Sequence, residues 1–206
     1  MGLIARLFRP LDYVRIKHPH KVYYDLYLPF SLASILTLIF VYLPVQPKIL
    51  GEAGLIKIIT DILQILSGFY IASLAAIATF NKEGMDDLME GDPPTLKIFC
   101  RGKMMIDQLT RRRFLCLLFG YLSLLSLFLY FLGTGTFLLA ANAKYFFAKH
   151  SNLELAKWGF VWFYLLLTSN LIITTLLGLF YMVDRIHRKN IKAKRATPPS
   201  GPESNL

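Results

Sequence analysis

Few residues in this chain are placed to do chemistry. Glu83, Asp86, Asp87, Glu90 and Asp92 fall within ten positions and invite a metal reading. A calcium loop needs oxygen ligands at alternating positions and a glycine at its turn. Asp86, Asp87 and Glu90 offer neither, so the cluster reads as a solvated charged face. His18 and His20 stand one residue apart with no acidic or thiol partner beside them, which fits a turn better than a metal site. Gly133-Thr134-Gly135-Thr136 lacks the spacing and the lysine of a phosphate-binding loop. Cys100 and Cys116 are sixteen apart, too far for a zinc or redox motif. No nucleophile is paired with a base. The residues therefore predict no enzyme, no metal and no cofactor.

A different kind of chemistry is better supported, that of a docking surface. Around the acidic cluster stand the apolar Met85, Leu88, Met89, Met104 and Met105, and after it come the basic Lys97, Arg101 and Lys103. Adaptable methionine contacts rimmed by charge suit a soluble partner. The candidate partner-binding set is thus Met85, Asp86, Asp87, Leu88, Glu90, Asp92, Lys97, Arg101 and Lys103. Asp92-Pro93-Pro94-Thr95 resembles a helix start, with Asp92 as cap and proline in the first turn. It predicts a helix running through Met104, Met105 and Leu109 towards Arg111, with Met85 to Gly91 as a separate turn or short helix.

The elements that must hold this segment are apolar. Of 206 residues, 55% are hydrophobic and only 17% charged, with a formal net charge of +10. A soluble chain averages about 25% charged. Four windows carry no charged residue: Leu26 to Pro47, Ile62 to Asn81, Phe114 to Ala143 and Trp158 to Val183. Each reaches the roughly 20 residues that cross about 30 Å of hydrocarbon as a helix. The alternating ten-residue segments of a β-barrel are absent. The fold class expected is all-α, a four-helix transmembrane bundle. The first window begins late and lacks a convincing cleavage site, so the first helix is expected to stay rather than act as a signal peptide. Arg6 stands where a myristoylation motif wants serine or threonine.

Lys and Arg set the orientation. Eighteen lie in the N-terminal stretch, the segment between helices two and three, and the tail, against five in the other two connections. The positive-inside rule puts both termini and the middle loop in the cytoplasm. Tyr23, Tyr24, Tyr27 and Tyr181 then mark the inner interface, and Tyr42, Tyr145, Trp158 and Trp162 the outer one. The chain divides into a cytoplasmic amphipathic segment 1–24, a membrane domain 25–183 with its cytoplasmic loop 81–113, and a tail 184–206, basic and then disordered.

Finer expectations follow. Leu3, Leu7, Leu11 and Val14 recur at helical spacing among Arg6, Arg9 and Arg15, so 2–17 can lie along the inner leaflet, as one helix or as two pieces about Pro10. A simple anchor fits it better than a lipid sensor. Lys57 and Asp61, one turn apart, can pair at the outer interface. Gly68, Ala72 and Ala76 form a small-residue stripe for close helix packing, either inside the bundle or against a second protomer. Gly133 to Thr136 predicts a helix break near the outer surface. The connection from about Asn142 to Lys157 is short, a turn or a brief helix. Asn170, near the middle of helix four, is expected to bond to a neighbouring helix. Arg111, Arg112 and Arg113, with Arg185, Arg188 and Lys189 of the tail, are expected to face anionic lipid. The tail has no aromatic interleaving, so direct nucleic-acid binding is not expected.

The stretches Phe80-Asn81-Lys82-Glu83-Gly84-Met85-Asp86-Asp87-Leu88-Met89, Gly91-Asp92-Pro93-Pro94-Thr95-Leu96 and Leu109-Thr110-Arg111-Arg112-Arg113-Phe114-Leu115-Cys116 resemble the membrane subunits (KwaA) of the Kiwa anti-phage system. Chain length and the four expected helices agree with that. The resemblance implies a bacterial inner-membrane protein that senses phage attack at the envelope. It also implies self-association, as a homotetramer, and a cytosolic, DNA-binding effector subunit (KwaB-like) held by the membrane subunit. It assigns no interface residue by itself. On the residues alone a non-enzymatic sensor and scaffold ranks first. An oligomeric channel with a path past Asp61 or Asn170 ranks second, and a transporter or intramembrane enzyme third.

Overall fold

The computed structural model describes residues 8–17, 21–79, 85–88, 94–100, 103–148 and 153–185. It is mostly helical. A 3-10 helix, Arg9–Arg15, comes first, then a π-turn, Tyr23–Tyr27, that leads into α1, Leu28–Tyr42. After it come α2 (Leu55–Thr79), the antiparallel strands β1 (Thr95–Cys100) and β2 (Lys103–Gln108), α3 (Arg111–Ala148) and α4 (Leu153–Phe180), which closes in a second π-turn, Tyr181–Arg185. Four of these helices are long and apolar enough to cross a membrane. They make the chain, by length and composition, a multi-pass membrane protein.

The helices pack in a row rather than a square: α2 against α3, α3 against α4, and α4 against α1. The core lies along α3, where Leu118, Phe119, Leu122 and Leu129 are fully buried. α2 reaches α4 through hydroxyls, Tyr70 sharing a 2.7 Å hydrogen bond with Thr175, and Thr60 standing 3.4 Å from the Tyr164 hydroxyl. α1 sits at the far edge and buries only Pro29, Ala33 and Thr37. Ala33 meets Val161 and Leu165 of α4, and the Trp162 indole Nε1 donates a hydrogen bond to Ser34 Oγ at 3.2 Å.

Three expectations change here. α3 does not break at Gly133 to Thr136 but runs on for 38 residues. That is about 57 Å at 1.5 Å per residue, longer than the hydrocarbon layer. Gly133 is a packing residue instead: a Cβ there would collide with Thr60 Oγ1 and lie 2.8 Å from the Tyr164 hydroxyl. Thr136 Oγ1 donates to the Gly133 carbonyl within the same helix. The glycine thus serves close approach rather than a bend.

Second, 95–108 is a β-hairpin and not a helix. Thr95, Ile98, Phe99 and Ile106 are strand formers, and Cys100 pairs with Lys103 so that only two residues, Arg101 and Gly102, separate the strands in the chain. The prolines at 93 and 94 precede an extended segment, which proline tolerates as readily as a helix start. The otherwise all-α fold therefore carries one two-stranded sheet.

Third, Arg9–Arg15, expected to lie along the inner leaflet as an anchor, packs against α3. Tyr13 and Ile16 are buried, and the Tyr13 ring stacks 5.0 Å from that of Tyr121. Pro10 rests on α3 beside Gly120. The described part of the N-terminal segment belongs to the core.

Candidate functional site

The hairpin end of the bundle gathers two sets of long-range polar contacts, and Pro29 explains where the first of them forms. Proline has no N–H, so the carbonyl of Asp25, four residues earlier, has no helical donor. The backbone widens there into the π-turn, with the Leu28 amide bonded to the Tyr23 carbonyl. Asn170 of α4 fills the vacancy: its Nδ2 donates to the Asp25 carbonyl at 2.8 Å. Its Oδ1 accepts from the Tyr121 hydroxyl of α3, also at 2.8 Å. One side-chain amide thus ties α1, α3 and α4 together.

The Asp25 carboxylate extends this junction. Lys21 approaches it to 2.7 Å, with the two side chains only 10% and 19% exposed. The Lys21 ammonium also donates to the Val14 carbonyl at 3.2 Å and lies 4.4 Å from the centre of the Tyr13 ring. The Tyr13 hydroxyl donates to Asp25 Oδ1 at 3.3 Å. Burial, and then the nearby Asp25 charge, push the Tyr13 phenol well above its ordinary value, so it remains a neutral donor. The pair is largely desolvated yet bonded by the Val14 carbonyl and the Tyr13 hydroxyl, the condition under which such a pair persists.

Neither residue belonged to the expected site. Ionisable groups at depth are sought within the charge-free windows, and Asp25 stands one residue before the first of them. Its i,i+4 spacing from Lys21, with Pro29 four residues on, was the signal available.

A second set of contacts fixes the start of α3. The amide of Arg111 donates to the Asp87 carbonyl at 3.2 Å and that of Arg112 to the Met85 carbonyl at 2.9 Å, while Thr110 Oγ1 accepts from the Arg113 amide. These satisfy donors that a helix leaves open in its first turn. The Arg112 guanidinium meets Asp86 at 2.9 Å and also bonds the Ala78 carbonyl near the end of α2. Arg113 pairs with Asp107 of β2. Asp86 and Arg112, assigned from sequence to a partner and to lipid, are therefore bonded to each other. Arg111 is half-buried. Met85 is buried, Leu88 is half-exposed and forms an isolated bridge to Thr110, and Lys97 is exposed on β1. Lys103 opens β2, and Arg185 ends the second π-turn. Glu90, Asp92, Arg101, Arg188 and Lys189 lie outside the described residues, as do His18 and His20.

The hairpin stands on this base. Thr95 exchanges backbone hydrogen bonds with Lys17, the Leu109 amide donates to the Pro94 carbonyl at 3.0 Å, and Leu96 is buried. Further along β2 the burial ends: Met105 is 59% exposed and Ile106 69%. Adjacent strand residues point to opposite faces, so each face of β2 carries an exposed apolar side chain there, with Ile106 paired across from Lys97.

The small-residue stripe of α2 faces outward. Gly68 and Ala72 are exposed and Ala76 half-buried, while Thr60, Leu63, Ser67 and Tyr70 form the inner face. At the other end of the bundle Lys57 pairs with Asp61 and Lys157 with Glu154, all on the surface. No group of three metal-ligating side chains occurs among the described residues.

The fold and this junction define a helical, multi-pass membrane protein with a β-hairpin at one end of its bundle. No protein-family model matches the chain, and no curated protein or solved structure is significantly similar to it.

Proposed function

We propose that the chain is a non-enzymatic sensor and scaffold of the bacterial inner membrane, with both termini in the cytoplasm, which holds a cytosolic effector subunit on its hairpin. The resemblance to the Kiwa membrane subunits supplies the biological setting, anti-phage defence triggered at the envelope. The observation that carries the docking role is the exposed apolar end of β2. An isolated two-stranded hairpin is marginally stable in water. This one is anchored at its base by Lys17, Leu96 and the Arg113–Asp107 pair, and presents Met105 and Ile106 with nothing over them. A soluble partner that covers those residues gains apolar area and completes the sheet edge or its face. Homotetramer formation belongs to the same reading, and the outward Gly68 and Ala72 supply a surface on which a second protomer can approach closely.

The test is co-purification of the tagged protein in mild detergent from its native host, with and without the double substitution Met105→Lys, Ile106→Asp. The expected result is a stoichiometric soluble partner with the wild type and its loss from the variant, while the oligomer survives. Charge reversal of Asp86 is a poor probe, because it also breaks the Arg112 tie. Recovery of the wild type alone, as a defined oligomer, would overturn the scaffold in favour of a pore.

A further inference from the structure

An open cleft of about 560 Å³ separates the 3-10 segment from the start of α1. Val14, Ile16 and Lys17 form one wall, and Lys21, Val22, Asp25 and Leu26 the other. Its shape is held by Lys21, whose ammonium grips the Val14 carbonyl on one side and the Asp25 carboxylate on the other. With three partners, counting the Tyr13 ring, that ammonium has no hydrogen left to offer. Lys17 differs: its backbone pairs with Thr95, and its side chain is exposed. Val14, Val22 and Leu26 are each at least half-exposed. Around them Tyr23, Tyr24 and Tyr27 are also exposed, the residue type that collects where hydrocarbon meets headgroups.

We infer that this cleft binds one anionic phospholipid of the adjacent leaflet, its phosphate on Lys17 and its glycerol and upper acyl chain against Val22 and Leu26. Three features select that occupant. The cleft opens beside a span long and apolar enough to cross a membrane, so the molecules that meet it are lipids. Among its described lining residues two lysines stand against one carboxylate, which leaves a positive balance that a net-anionic headgroup neutralises and a zwitterionic one, whose own cation offsets its phosphate, does not. Its apolar walls lie on the α1 side, where acyl chains run. Lys21 acts only as the clamp that ties one wall to the other. The inference does not depend on a soluble partner or on which leaflet the hairpin faces.

Native mass spectrometry of the full-length protein, released from vesicles of equal parts phosphatidylglycerol and phosphatidylcholine, tests it. The wild type is expected to retain phosphatidylglycerol over phosphatidylcholine by roughly fivefold more than Lys17→Gln does, about the factor one lysine contributes beside anionic lipid. Leu26→Ser is expected to lower retention of both lipids, and Lys157→Gln, on the opposite end, to change neither. Equal retention by wild type and Lys17→Gln would overturn the site, as would an equal loss on Lys157→Gln, which would mean diffuse surface charge. Exposed Lys17 leaves the fold intact when substituted. A thermal midpoint of Lys17→Gln matching the wild type separates loss of lipid from loss of structure.

Discussion

Two Lys–Asp pairs of identical spacing sit at opposite ends of this bundle. Lys57 and Asp61 are one turn apart on α2, with side chains 43% and 56% exposed. Lys21 and Asp25 are also one turn apart, before α1, with side chains 10% and 19% exposed. Water screens the first pair, and its two charges do little beyond meeting. The second pair has lost most of its water and stands among a carbonyl, a phenol and an aromatic face, so each member depends on the other. Sequence spacing alone makes them equivalent. What separates them is Pro29, which opens the backbone at Asp25 and draws Asn170 into it, and Tyr13, which closes the site from the other side.

The sharpest way to break this contrast is to delete one carboxylate from each pair. Asp25→Ala is expected to cost about 3 kcal/mol, because it strands a largely desolvated ammonium. Thermal unfolding in detergent should show the fall, with lost protection of the 3-10 segment from protease. Asn170→Leu ranks next, at about 1–2 kcal/mol, since the Asp25 carbonyl and the Tyr121 hydroxyl both lose their partner. Its origin can be sharpened with Pro29→Ala, which restores an amide able to claim that carbonyl. In that background Asn170→Leu should cost measurably less. Strict additivity of the two substitutions would disconnect Asn170 from the proline. Asp61→Ala is expected to change stability by no more than about 0.5 kcal/mol. A cost comparable to that of Asp25→Ala would erase the distinction between the two ends.

Much of the bundle is legible in the sequence because its physics is one-dimensional. Charge-free runs long enough to span hydrocarbon become helices whatever their neighbours are, and α1 to α4 follow the four windows. Where neighbours decide, local patterns mislead. Gly133 and Gly135 weaken a helix in isolation, yet α3 is continuous through them, and at Gly133 Thr60 and Tyr164 occupy the space a side chain would fill. The 95–108 segment has helix-start chemistry at one end and two methionines near its middle, but its strands pair with each other and its base is held by Lys17, which lies far outside the window that such a reading inspects. The acidic cluster is recognisable as unusual, while its use by Arg112 depends on α2 ending beside it. Asn170 was visible as a lone amide in an apolar helix. Its acceptor, a carbonyl freed by a proline 141 residues earlier in the chain, was not.

The proposed docking role stands on the hairpin end facing the cytoplasm, and that orientation can be read directly. In a background of Cys100→Ser and Cys116→Ser, single cysteines are placed at Ile106 on the hairpin and at Tyr145 on the far end of α3. Spheroplasts are then treated with a membrane-impermeant maleimide. The account predicts labelling of Tyr145→Cys in intact spheroplasts and of Ile106→Cys only after permeabilisation. Labelling of Ile106→Cys from outside would contradict it, because a cytosolic partner could never reach the hairpin.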